Sequence, residues 1–175
     1  MTKVRTRLSV IALLVVALPA AIVQAQSDGN SRMSVTVAFG SGLNTAQQGN
    51  KANHHVLPTT IEVKAGGVVN FAVAGFHQIV VYQAGIEAND IVPPPFDPGP
   101  PPENLFMNYN LNTAYYVGIN PDNRNPVTPA APANRFNGEN RLESVSFSAP
   151  GVYLVVCNVT PHFTDGMYAY VKVSR

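Results

Sequence analysis

The chain has 175 residues, 46% of them hydrophobic and 12% charged, with 11 basic and 10 acidic side chains and a formal net charge of +1. A nucleic-acid binder, which carries a basic surplus, is excluded. So is a partner captured by strong charge steering, and weak salt dependence of any association is expected.

Residues 1–7 carry Lys3, Arg5 and Arg7 and no acid; residues 8–23 (LSVIALLVVALPAAIV) are almost wholly apolar, and Val23-Gln24-Ala25 is a small-residue site. This is the layout of a secretory signal peptide over 1–25, cleaved after Ala25. The apolar run is short for a membrane span and is interrupted by Pro19; a retained anchor is the alternative. Cleavage leaves eight basic against ten acidic residues, a balance of −2, and no other apolar run that could span a membrane. The expected product is a periplasmic or secreted single domain over 26–175, large enough for one sizeable core and expected as a monomer.

Along that domain, residues 34–39 (SVTVAF) alternate polar and apolar, the period of a half-buried strand. Residues 40–53 are loop-like, with His54 and His55 in a polar, solvated segment. A strand over 59–64 (TTIEVK) is expected to stop at the turn signal Ala65-Gly66-Gly67, followed by a second over 68–73 (VVNFAV). Residues 76–82 (FHQIVVY) read as another strand, with His77, Ile79 and Val81 on one face. Between 85 and 141 the character changes: eleven of the fifteen prolines fall here, which excludes central strands and a helix through the proline clusters. This stretch reads as a long Pro/Asn-rich insertion with short ordered pieces near 105–109 and 114–119, either a cover or a docking surface. Strands return at 143–149 (ESVSFSA), at 152–157 (VYLVVC), which is apolar on both faces, and at 168–173 (YAYVKV). The fold class is all-β, a Greek-key sandwich or barrel.

The single cysteine, Cys157, cannot form an internal disulfide in an exported chain. A buried inert thiol is one reading and a metal-bound thiolate the other; its surroundings decide. Cys157 is followed after four residues by His162, and His162 after four by Met167, so thiolate, imidazole and thioether share one short loop between strands. That set suits copper, for which two histidines and a cysteine in a plane with a weak axial methionine mark an electron-transfer centre. Structural zinc sites recruit several cysteines and rarely methionine. Of the four histidines, His77 is the candidate for the second nitrogen, because a polar ring on an apolar strand needs a partner.

The stretch FSAPGVYLVVCNVTPHFTDGMYAYVKV, with GFHQIVVY upstream, resembles the cupredoxins, the blue-copper superfamily, and its loop spacing is similar to that of rusticyanin. The resemblance covers 59–82 and 143–175. It implies one copper ion with His77 and His162 as nitrogen ligands, Cys157 as thiolate and Met167 as axial ligand, and a one-electron shuttle serving a redox partner protein such as a c-type cytochrome or an oxidase. Many family members carry Asn directly after the first ligand histidine to tie the ligand loops; here it is Gln78. His162 is the expected exit for the electron, with Pro161 and Phe163 as an apolar rim. The alternatives are a periplasmic copper carrier or scavenger without redox turnover, and a metal-free scaffold. An enzyme is not expected, since no nucleophile–base pair or second ligand cluster is visible. Adjacent His54 and His55 point opposite ways in extended chain and do not supply one. The glycosylation acceptor pattern Asn158-Val159-Thr160 abuts the cysteine and is discounted.

Overall fold

The structure is a computed structural model and describes residues 32–40, 51–99, 104–121 and 140–175. The expected signal peptide, 1–25, lies outside them, as does the centre of the proline-rich stretch. Among the described residues no helix is long and apolar enough to cross a membrane.

The alternating segments form strands: β1 (Arg32–Gly40), β2 (Val56–Leu57), β3 (Thr60–Ala74), β4 (Ile79–Tyr82), β5 (Ala114–Val117), β6 (Asn140–Phe147), β7 (Gly151–Cys157) and β8 (Tyr168–Ser174), with a short helix α1 (Thr160–Thr164) before β8. They pair in the order β2-β1-β3-β8-β7-β4-β5, and β6 pairs with β3. Neighbours far apart in sequence, including the parallel pairs β1–β3 and β3–β8, give the crossed connections of a Greek-key sandwich.

β3 corrects the expected break at residues 65–67. Its first part, from Thr60 to Lys64, pairs with β8, while Gly67 to Ala74 pairs with β6 and, nearly throughout, with β1. One continuous strand therefore serves both layers. Gly66, at φ +83, supplies the backbone freedom for the change of partners. The two alternation patterns are right; the glycines between them bend the strand without ending it.

Inward-facing Phe39, Ile61, Val69, Phe71, Phe147 and Val171 form the main core and are almost fully buried. Each such side chain contributes about 1.5–3 kcal/mol relative to exposure. A second cluster explains why β7 is apolar on both faces: Leu154 and Val156 turn away from the main core to meet Val80, Tyr82, Met107 and Phe163, with Ile91 and Tyr109 packed against them. Described parts of the 85–141 stretch thus cover the outer face of β4 and β7. Within that stretch, β5 pairs among the described residues only with β4, at the edge where a proline-rich segment can contribute a strand.

Candidate metal centre

Strand pairing brings the distant histidine to the cysteine. Ile79 of β4 lies opposite Cys157 of β7, so the turn just before β4 reaches the end of β7. The expectation of a strand over 76–82 is corrected here. β4 begins at Ile79, and the His77 N–H donates to the Gly75 carbonyl at 3.0 Å, a local turn that takes His77 out of the ladder. The ring is set by what surrounds that turn. It meets Phe39 edge-on at 5.9 Å between ring centres and lies against Gly40, where any Cβ would collide with it.

The other candidate donors come from one stitched loop. Cys157 ends β7, fully buried. Pro161 sits in the first turn of α1, which is fixed by His162 and Phe163 N–H groups donating to the Val159 carbonyl. The Met167 N–H donates to the His162 carbonyl at 3.0 Å, and the Cys157 N–H donates to the Met167 carbonyl at 3.0 Å. Cysteine, histidine and methionine are thereby linked through the backbone alone, and Met167 is fully buried.

The result is a cluster of His77, Cys157 and His162, whose potential ligand atoms lie within 4.8 Å of one another. Cys157 Sγ is 3.6 Å from Nδ1 of each histidine, and the two Nδ1 atoms are 2.9 Å apart. Donors sharing one ion through bonds of about 2.0–2.3 Å sit about 3.3–3.8 Å apart. The sulfur–nitrogen separations meet that; the nitrogen–nitrogen separation is shorter, the length of a hydrogen bond between neutral imidazoles.

Protonation states match. Burial, then the neighbouring His162, His54 and Arg141, hold His77 down at about 3. Burial, then His54, hold His162 down at about 4 against the pull of Asp165. Both rings are neutral at pH 7, as ligands must be. Burial pushes the Cys157 thiol up to about 12, although backbone hydrogen bonds from Val159 and Gln78 and the charge of Arg141 oppose it. A metal must therefore displace that proton, and the donors then offered are two imidazoles and a thiolate.

Gln78 does tie the ligand loops together. Its Oε1 accepts from Asn158 Nδ2 at 2.8 Å, its carbonyl accepts from the Asn158 N–H at 2.7 Å, and its Nε2 donates to the Gly118 carbonyl at 3.1 Å. Asn158 is buried and committed to this contact, which leaves no room for a glycan.

Two sequence readings are corrected. His54 is not solvated: its ring stacks on His162 at 3.8 Å between centres, and its Nδ1 lies 2.7 Å from Asp165 Oδ2, which is also paired with Lys51. Nothing near His54 in sequence signals this, because Asp165 lies 111 residues away. Phe163 is not an outer rim; it turns inward to Val80 and Met107. Sequence reasoning also passed over Arg141 and Glu143, which share the inward face of β6 with Val145 and Phe147. Extending the alternation of that strand backward by one pair would have placed two charges on an apolar face.

No family model matches the chain, and no curated protein matches it. Solved structures similar to it are cupredoxins. A dithionite-reduced auracyanin from Roseiflexus castenholzii is 16% identical, with 83% of this chain and 99% of that one covered and a TM-score of 0.47. An oxidised plastocyanin from Dryopteris crassirhizoma is 18% identical over 80% and 100%, with a TM-score of 0.39. A pseudoazurin from Hyphomicrobium denitrificans is 15% identical over 81% and 76%, also at 0.39.

Proposed function

We propose that the chain is an exported one-electron carrier that would hold one copper ion through His77, Cys157 and His162, with Met167 as a further sulfur donor. The observation that carries this reading is the meeting of a buried thiol with two neutral imidazoles, one from 80 residues away. One cysteine with a buried methionine beside it favours copper over zinc. Bound copper supplies the Cu(I)/Cu(II) couple.

The chain's own contribution is rigidity. Backbone hydrogen bonds fix the Cys157–Met167 loop, the Gln78–Asn158 amide pair fixes it to the His77 turn, and packing against Phe39 and Gly40 fixes the His77 ring. Donors that barely move make electron exchange fast. Burial of His77, Cys157 and Met167 favours retention of the ion over hand-off to an acceptor, and so a carrier of electrons over a carrier of copper. His162 is the half-buried member of the set, and it faces His54. The route to a redox partner, such as a c-type cytochrome or an oxidase, leads through that side. Export rests on the pattern of residues 1–25.

Voltammetry and self-exchange on the copper-loaded protein test the function. Reversible one-electron reduction with fast self-exchange is expected; slow exchange with ready copper transfer to an apo-acceptor would replace this reading with the copper-carrier one.

A further inference from the structure

β6 carries two charges on a face that points into the protein. The side chains of Arg141 and Glu143 are 4% and 3% exposed. Taking two ions out of water costs several kcal/mol each, and an apolar pair of similar volume serves stability as well or better. The pair therefore calls for a role besides holding the sheet together.

Its contacts supply one. Arg141 Nε is paired with Glu143 Oε1, and Glu143 Oε2 accepts from the Tyr116 hydroxyl at 2.7 Å. Burial and Glu143 push Tyr116 upward, so that hydroxyl stays a donor. The far end of the guanidinium, Nη2, donates to the His77 carbonyl at 2.9 Å and to the Ile119 carbonyl at 3.1 Å. His77 sits in a turn outside the sheet ladder, so this contact holds a segment that strand pairing does not. The fork geometry is also particular to arginine: one edge meets the carboxylate while the other reaches two carbonyls, and the charge is permanent.

The pair is oriented as well. Its positive end touches the backbone of His77, whereas the second oxygen of Glu143 turns toward Tyr116 on β5.

We propose that Arg141 is a positioning residue of the metal centre: held by Glu143 and Tyr116, its guanidinium clamps the His77 turn and, in a dry site, favours the less positive state of the bound ion. This rests on the copper reading above. It makes the buried pair a setting of the reduction potential, in the direction of a stronger oxidant.

The test compares wild type with Arg141→Met/Glu143→Gln, which removes both charges but leaves Tyr116 an acceptor, and with Arg141→Lys, which keeps the charge without the fork. The readouts are the ratio of Cu(I) to Cu(II) affinity, taken from the midpoint potential, and amide hydrogen exchange at His77 and Gln78 in the metal-free protein. The double variant should lose about tenfold or more in that ratio, a fall of about 59 mV for a one-electron couple, with faster exchange in the turn. Arg141→Lys should hold the potential and share the faster exchange. A folded, blue double variant unchanged in both readouts overturns the proposal; if that variant does not fold, wild-type exchange in Arg141→Lys does so. A wild type that never shows thiolate-to-copper absorption overturns the copper reading instead, and metal-free exchange then decides the clamp alone.

Discussion

Gly40→Ala should damage the metal centre from a residue that supplies no ligand atom. Gly40 ends β1 at φ +81, where an alanine costs about 1–2 kcal/mol in backbone strain. Its new Cβ would also stand 2.7 Å from His77 Cδ2, closer still to Nε2, and against the Ala74 carbonyl. Ordinary contact begins at 3.4 Å, so the ring must retreat by more than about 0.7 Å. Metal–ligand distances tolerate about 0.2 Å, and Phe39 stands edge-on to the ring. Copper affinity should fall about 10–100-fold or more, and the metal-free protein should lose at least the strain energy. Copper titration followed in the visible, with chemical denaturation of the metal-free protein, measures both. Wild-type affinity and an unchanged spectrum in Gly40→Ala would refute the placement of His77.

Gln78→Ala strands the buried Asn158 amide and should cost about 1–3 kcal/mol in chemical denaturation, with a broadened copper spectrum as the loops loosen. Glu143→Ala leaves Arg141 buried without its carboxylate, and should cost about 3–5 kcal/mol by the same assay. For the metal-free protein, His77 and His162 titrate lower when folded than their ordinary 6.5, so the unfolded chain binds more protons below that pH. Stability should fall as pH drops from 6.5 toward about 3, with a slope of up to about 1.4 kcal/mol per unit for each histidine. The thiol is shifted the opposite way, from 9 to about 12, so stability should fall again above pH 9. Denaturation midpoints flat from pH 4 to 6.5 would mean that these rings are not buried as described.

What was legible in the sequence was local or carried by strong alternation. Cys157, His162 and Met167 are gathered because ten residues of loop connect two strands, a constraint that spacing alone expresses. His77 can be chosen among four histidines because a polar ring beside an apolar run demands a partner, although the letters of its turn are those of a strand. Gly66 and Gly67 carry the same letters whether a chain turns back or one strand changes layers, and only the partners β1, β6 and β8 decide between them. His54 was opaque for a different reason: its neighbours are polar, and what buries it is Asp165 and the ring of His162. Arg141 and Glu143 sat in plain view as charges in register with Val145 and Phe147, but no rule of alternation says which carbonyl a buried guanidinium will reach.

The proposed centre stands on the thiolate. Visible and EPR spectra of the copper-loaded protein, recorded beside Cys157→Ser, address it directly: an intense blue sulfur-to-copper band with narrow hyperfine splitting is expected in the wild type and should vanish in the variant. A tetragonal spectrum that survives the substitution would show that copper sits elsewhere and that the three converging donors do not form the proposed centre.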